Sequence, residues 1–252
     1  MRVVAIIPAR YASTRFPAKP LAVLGRKCII EWVYDAAKRY FDRVVVATDD
    51  RRIAEAVEAF GGECVMTSAE HRCGTERCAE AVERIGGDYD TVVNIQGDEP
   101  FISPEQLTTL IDIMERGDVD IATLATPITS HEVLHNPNVV KVAITPDNRA
   151  LYFSRSPIPY LRGCDPNEWH ARHQYYQHVG IYAFRRERLS EVVRLAPTPL
   201  EMAESLEQLR WMERGLAIGV GITDHRSIGI DTPEDLAEAR RMLETGDNED
   251  ND

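Results

Sequence analysis

Val3-Val4-Ala5-Ile6-Ile7 runs directly into Pro8-Ala9-Arg10-Tyr11-Ala12-Ser13-Thr14-Arg15-Phe16-Pro17-Ala18-Lys19-Pro20, and this junction decides the fold. The unbroken apolar run reads as a strand covered on both faces, as in a parallel sheet. A cationic loop at the carboxyl end of such a strand is where open α/β sheets bind their ligands. Arg10, Arg15 and Lys19 can oppose a nucleotide's polyphosphate, the arginines by bidentate hydrogen bonds and the lysine as a compact charge. Pro8, Ala9 and Ser13, with the loop's backbone amides, complete the candidate cradle. A solvated basic loop is the plainer alternative, and the position after strand one weighs against it. The loop is neither a Walker A sequence nor GxGxxG, so a P-loop kinase and a dinucleotide-binding dehydrogenase both lack their usual device.

Outward from the loop, strand and helix patterns alternate. Ile29, Ile30, Val33, Ala37 and Tyr40 recur at helical spacing. Val44 to Ala47 reads as a strand, closed by Thr48-Asp49-Asp50 as a helix N-cap region. Ile53, Ala54, Val57 and Phe60 mark the next helix, which Gly61-Gly62 ends. Cys64 to Met66, a helix over about 75–85, and Thr91 to Ile95 continue the rhythm. Such alternation implies right-handed βαβ units, with helices on both faces of a sheet.

After about Ile121 the pattern changes. Segments 139–144 and 150–153 read as antiparallel strands, and 156–174, rich in Pro, Gly, Arg and His, as a long loop, functional or mobile. Helices are expected near 186–194 and 200–214, a strand over 216–222, and a last helix opened by Asp231-Thr232-Pro233-Glu234.

The chain has 252 residues and a formal net charge of −12, which argues against a nucleic-acid surface. It does not argue against a nucleotide, which needs only local cations. Residues 246–252 read as an acidic, flexible tail. Five cysteines, Cys28, Cys64, Cys73, Cys78 and Cys164, form no CxxC pair. With no signal peptide evident, they suggest reduced thiols in the cytoplasm. Cys73 and Cys78, with His71 nearby, match no zinc spacing. No apolar run reaches the roughly 18 residues of a membrane span.

The acidic candidates for Mg²⁺ are Asp98, in Asn94-Ile95-Gln96-Gly97-Asp98-Glu99-Pro100 after a buried strand, and Asp231. Glu99 is the alternative cap of the next turn. Asp231, just before Thr-Pro-Glu-Asp, reads equally well as a helix N-cap or a ligand.

PARYASTRFPAKPL, HRCGTER, NIQGDEP, LYFSRSPIP, HVGIYAF, LEQLR and GIDTPEDL occur in that order along nearly the whole chain. The sequence resembles the 3-deoxy-D-manno-octulosonate (KDO) cytidylyltransferases. Sialic-acid cytidylyltransferases share a PAR-type opening but usually continue with Gly-Gly-Ser. The resemblance implies a three-layer α/β/α nucleotide-diphospho-sugar transferase fold, Rossmann-like, with a mixed, mainly parallel sheet and a small antiparallel lobe. It also implies a homodimer, and the reaction of CTP with KDO to give CMP-KDO and pyrophosphate for lipopolysaccharide synthesis.

Carried over motif by motif, Arg10, Ser13, Arg15 and Lys19 contact the CTP phosphates. Cys73 and Gly74 help to read cytosine, and Asp98 and Asp231 bind Mg²⁺. Gln96, Arg155, His178, Tyr182, Glu207 and Gln208 line the sugar pocket. Each has a plainer reading: His178 and Tyr182 as packed or edge residues of a strand, Glu207 and Gln208 as a solvated helix face. Arg155 is the most suggestive, because the substrate carries a carboxylate that an arginine can clamp. The expected chemistry is in-line attack of the anomeric hydroxyl on the α-phosphorus, with Arg15, Lys19, Asp98 and Asp231 catalytic and no protein nucleophile.

The implied organisation is one nucleotidyltransferase domain over 1–245. It divides into a nucleotide-binding half (about 1–120), a sugar-binding and dimerisation part (about 121–222) and a metal-binding return (223–245). Two departures from the family stand out: Ala18 where many relatives have Gly, and Cys28 where Pro is common. The rival readings are transfer to sialic acid or 8-amino-KDO, and a non-catalytic nucleotide-binding regulator.

Overall fold

The computed structural model describes residues 1–12, 16–225 and 229–245, the Thr245 side chain excepted. Its contacts gather into two units, residues 1–104 with 227–252, and residues 105–226. The division falls after Pro104 rather than near residue 120.

In the first unit β1 (Val3–Ala9) is the apolar run that opens the chain, with Val4, Ala5, Ile6 and Ile7 fully buried. A single 3₁₀ turn (Lys19–Leu21) and a short hairpin, β2 (Val23–Leu24) with β3 (Lys27–Cys28), lead into α1 (Ile29–Tyr40). Then follow β4 (Val44–Thr48), α2 (Arg51–Ala59), β5 (Glu63–Met66), α3 (Gly74–Ile85) and β6 (Thr91–Asn94). β1 pairs in parallel with β4 (Ala5 opposite Val44) and with β6 (Val3 opposite Thr91), and β4 pairs in parallel with β5. Each helix inserts between consecutive parallel strands, as the sequence rhythm requires. Asp50 caps α2 by accepting from Arg52 N, and Gly61, at φ 81°, follows that helix in the left-handed region glycine favours. Cys28 is the residue before α1, with an extended backbone, so it stands just ahead of the first helical turn.

The second unit comprises α4 (Pro104–Arg116), β7 (Ile121–Ile128), α5 (His131–His135), β8 (Lys141–Ile144), β9 (Ala150–Ser154), α6 (Trp169–Arg172), β10 (Tyr175–Arg185), α7 (Arg186–Val192), α8 (Pro199–Glu204), α9 (Glu207–Glu213) and β11 (Ile218–Ile222). β7 pairs in parallel with β11 and antiparallel with β10, and β8 pairs antiparallel with both β10 and β9. The antiparallel pair expected at 139–153 is therefore present as β8 and β9. Gly219 in β11 lets α4 approach closely, since a Cβ there would stand 2.7 Å from Ile113 Cγ2.

Two expectations need correction. Segment 156–174 is not one long loop. It holds a 3₁₀ turn (Pro166–Glu168) and α6, folded around a small core of Ile128, Leu134, Trp169 and Tyr175. Trp169 Nε1 donates to Cys164 O at 3.2 Å and Tyr175 Oη to Pro159 O at 2.9 Å. Nor is 200–214 one helix. Ser205, at φ 53° and ψ 49°, breaks it into α8 and α9. The break redirects the chain so that Leu206, Leu209 and Trp211 are all buried.

The chain returns to the first unit through α10 (Pro233–Thr245). The fold is α/β, a mixed and mainly parallel sheet with helices on both sides and a small antiparallel element. Among the described residues no helix is long and apolar enough to cross a membrane.

Candidate active site

A cleft of about 290 Å³ lies in the first unit, lined by Pro8, Ala9, Arg10, Lys19 and Pro20 from the β1 loop, by the 71–74 segment with Arg77, and by Gln96, Gly97, Asp98 and Asp231. Four chain segments meet there, three of them because parallel strands end on one side. β1 delivers Pro8 to Arg10, and Ile95 N donates to Ile6 O at 3.0 Å, which holds the residues after β6 in step with it. Gly97 has to be glycine for this approach, since a Cβ would stand 2.9 Å from Pro8 O. Gly74, the first residue of α3, similarly clears Pro8 Cγ, to which a Cβ would come within 3.2 Å.

The cationic loop is drawn closed at its base. Ala18 N donates to Tyr11 O at 3.0 Å, and the Arg52 guanidinium lies 3.3 Å from the Tyr11 ring centroid. Asp50 holds that guanidinium with both carboxylate oxygens. Ala18 adopts φ 59°, so the left-handed conformation that glycine would enter freely is imposed on an alanine. Ser13 and Arg15 lie outside the described residues.

Lys19 Nζ sits 2.6 Å from Asp98 Oδ2 and 3.0 Å from Asp231 Oδ1. Two carboxylates more than a hundred residues apart in the chain thus share one cation. The backbone makes this possible, because Ile230 N donates to Asp98 O at 2.9 Å and lays the return segment beside the β6 loop. The competing cap reading of Asp231 is also settled. Thr232 Oγ1 accepts from Asp235 N at 3.2 Å and Asp235 Oδ2 accepts from Thr232 N at 2.8 Å, so Thr232 is the cap of α10 and Asp231 stands one residue outside it. Burial alone raises the Asp235 carboxyl, but the Asp231 and Thr232 donors, with Lys19 nearby, overrule it and leave it low.

Among the described residues no group of three or more His, Cys, Asp or Glu converges as a metal cage. The Asp98–Asp231 pair offers two oxygen donors around a point that already accommodates a cation. Such a set suits a divalent ion that keeps water and phosphate ligands, as Mg²⁺ does, and not a closed zinc site.

His71, Arg72 and Arg77 line the cleft without having been singled out beyond their motif. Arg77 is 4% exposed, donating to Thr67 Oγ1 at 2.6 Å and lying 3.5 Å from Asp49 Oδ1. His71 Nε2 hydrogen-bonds Glu80. Burial pushes that carboxyl up, but the Ser68 amide, His71 and Arg84 together bring it below its ordinary range. The HRCGTER stretch carried the signal, since it sets Arg and His side chains around the start of α3, where the helix N-terminus already favours an anion.

Of the six sugar-pocket candidates Gln96 is in the first unit and lines the cleft; the other five are in the second. His178 and Tyr182, on β10, have ring centroids 5.4 Å apart because a register shift lies between Val179 and Tyr182. Thr123 Oγ1 approaches Ile181 O at 2.8 Å, Val179 O at 3.1 Å and His178 Nε2 at 2.9 Å. A hydroxyl has one proton and two carbonyls claim it, so His178 Nε2 is the donor and Nδ1 the acceptor. Burial pushes the His178 imidazole well down, and burial with Glu207 nearby pushes the Tyr182 phenol up, so both are neutral at ordinary pH. Trp211 of α9 packs edge-on against Tyr182. Gln208 is 5% exposed, which corrects the solvated-face reading for that residue. Glu207 Oε1 accepts from Arg210 at 2.9 Å. Arg155 donates to three backbone carbonyls, of Glu204, Pro137 and Ser205.

Residues 4–218 match the family model described as cytidylyltransferase. The 3-deoxy-manno-octulosonate cytidylyltransferase of Bacteroides thetaiotaomicron is 54% identical over 96% of this chain and 98% of its own. The protein of the same name from Parabacteroides distasonis is 53% identical over 96% and 98%. A solved structure of CMP:2-keto-3-deoxy-manno-octonic acid synthetase complexed with CTP superposes with a TM-score of 0.90. It shares 40% identity and covers 97% of this chain and 99% of its own.

Proposed function

The chain belongs to the cytidylyltransferase family, among the 3-deoxy-manno-octulosonate cytidylyltransferases, and from that premise we propose that it transfers CMP from CTP to KDO. The products are CMP-KDO, activated for lipopolysaccharide synthesis, and pyrophosphate. The observation that carries the reading is the pair Asp98 and Asp231, converged on one cation at the edge of a basic cleft.

In this reading Arg10, Ser13, Arg15 and Lys19 take the triphosphate, with Pro8 and Ala9 forming the floor beneath it. Cys73 and Gly74, at the start of α3, meet the base. Lys19 turns from the carboxylates to the phosphates, and with Arg15 stabilises charge on the departing pyrophosphate. Asp98 and Asp231 would hold Mg²⁺, which would supply charge neutralisation for the phosphates and lower the pKa of the attacking hydroxyl. Gln96, Arg155, His178, Tyr182, Glu207 and Gln208 hold the sugar acid, with neutral His178 and Tyr182 giving hydrogen bonds rather than charge. The anomeric oxygen attacks the α-phosphorus in line as the bond to the bridging oxygen breaks, with no covalent intermediate on the protein.

We assign the nucleotide, the metal and the sugar-binding Gln96 to the first unit, and the other five sugar-binding residues and a homodimer interface to the second. Exposed Leu151, Tyr160, Leu200 and Met202 in the second unit support the interface. Five cysteines, none of them in a disulfide among the described residues, support a cytoplasmic location.

The test is a matrix of nucleoside triphosphates against sugar acids, read by pyrophosphate release. CTP with KDO is expected to dominate. Equal turnover with UTP or with sialic acid, or release with no pair at all, refutes the assignment.

A further inference from the structure

Lys141 opens β8 and is fully buried. Its Nζ donates to the carbonyls of Asn136 at 3.0 Å, Val139 at 2.6 Å and Arg155, which uses every proton an ammonium has. Burial pushes its pKa down to about 8, Glu204 opposing and Arg155 adding to the effect, so it keeps its charge at neutral pH. An ammonium is costly to bury, and an apolar side chain would fill the space without that cost. The proposed chemistry does not use this charge. Its three acceptors belong to the turn before β8 and to the residue after β9, so Lys141 fastens that turn to the Arg155 main chain.

Arg155 is fastened from the opposite side as well. The Glu204 carboxylate accepts from Arg155 N at 2.9 Å and from Ser154 Oγ at 2.6 Å. The Arg155 guanidinium in return donates Nε to Glu204 O at 2.6 Å, Nη1 to Pro137 O at 3.1 Å and Nη2 to Ser205 O at 3.4 Å. A guanidinium carries five N–H groups, so, among the described residues, one on each terminal nitrogen is left for a carboxylate. Ser205 is the left-handed break, and α9 begins two residues later with Glu207 and Gln208.

We infer that Lys141 and Glu204 are positioning residues for the sugar acid, locking Arg155 to the α8–α9 corner so that Arg155, Glu207 and Gln208 form one rigid constellation. The inference rests on the reading of those three residues as sugar-binding. Preorganisation of this kind acts on the substrate held by the constellation and leaves the other substrate untouched.

Steady-state kinetics of Glu204→Ala, Glu204→Gln and Lys141→Met, with each substrate varied in turn, test it. Glu204→Ala and Lys141→Met are expected to raise KM for KDO by about tenfold or more, the scale of losing a charge-assisted hydrogen bond, with KM for CTP unchanged. Glu204→Gln keeps one acceptor and the volume, and is expected to recover most of the loss. An unchanged KM for KDO in folded Glu204→Ala overturns the inference, as does an equal rise for both substrates. If Glu204→Ala fails to fold, Ser154→Ala, which removes one of the carboxylate's bonds, carries the same comparison.

If the wild-type protein releases no pyrophosphate with any sugar acid, the functional reading has failed, and the lock is then judged by amide exchange. Faster exchange at Arg155 and across 206–208 in the Glu204 variant sustains it; unchanged exchange overturns it.

Discussion

Lys19→Met removes the charge that, among the described residues, lies between Asp98 and Asp231, while keeping an unbranched side chain. The two carboxylate oxygens lie 2.6 and 3.0 Å from Nζ, so they are no farther apart than those two distances laid end to end. Two unit charges about 5 Å apart repel by about 3 kcal/mol at an effective dielectric of about 20. The Asp98 and Asp231 side chains are 30% and 45% exposed, so solvent reduces that figure. The expected loss of stability is about 1–2 kcal/mol, or roughly 2–8 °C in melting temperature at this chain length.

The repulsion is relieved by any cation that takes the vacated position. Mg²⁺ is therefore expected to raise the melting temperature of the variant more than that of the wild type, its binding stabilising the variant by up to about 2.7 kcal/mol at a hundredfold excess over its dissociation constant. Thermal melts of both proteins, with chelator and with a Mg²⁺ series, make the comparison without any turnover. If the variant melts with the wild type in chelator and Mg²⁺ shifts both equally, the two acids do not act as one cation seat, and the metal assignment loses its basis.

Other outcomes follow from single positions. Gly97→Ala drives a Cβ to 2.9 Å from Pro8 O, so the cleft floor has to move; a loss of about 1–3 kcal/mol and weaker CTP binding by calorimetry are expected, and wild-type affinity contradicts the packing. Ala18→Gly relieves a left-handed alanine at about 1–2 kcal/mol but loosens the unfolded chain by about 0.4–1 kcal/mol, so a net gain of about 0.5–1 kcal/mol is expected in denaturant melts, and a loss refutes the strain.

The His178 pKa is depressed in the folded state by burial. Between that value and about 6.5 the unfolded chain binds the extra proton, so the stabilisation is present above about 6.5 and is lost as pH falls. His178→Gln is expected to flatten this loss by about 1.5–2 kcal/mol between pH 6.5 and 5 in denaturant melts, and identical pH slopes for the two proteins refute the burial.

The strands and helices of the first unit were legible because each is a local property. Val3 to Ile7 is apolar throughout, helical spacing marks 29–40, and Gly61-Gly62 ends α2 in the chain's own chemistry. The 156–174 segment misled because Pro, Gly and His punctuate it, while the residues that fold it, Ile128, Leu134 and Tyr175, lie outside it. The break at Ser205 was invisible for the same kind of reason. A 15-residue stretch with good helical composition is cut because Leu206, Leu209 and Trp211 find burial only after a change of direction.

The cleft divides likewise. A basic loop after a buried strand and an acid after another are readable in one dimension, since strand order places both at carboxyl ends. Whether Asp231 caps a helix or faces a cation was not, because Asp-Thr-Pro-Glu-Asp permits either. One backbone bond, Ile230 N to Asp98 O, lays the return segment beside Asp98, and the Thr232–Asp235 pair takes the cap. The amino-acid order determined which chemical groups this protein carries and which elements present them. Only the tertiary structure decided which groups share a charge, since electrostatic partnership depends on distances between segments that local sequence does not encode.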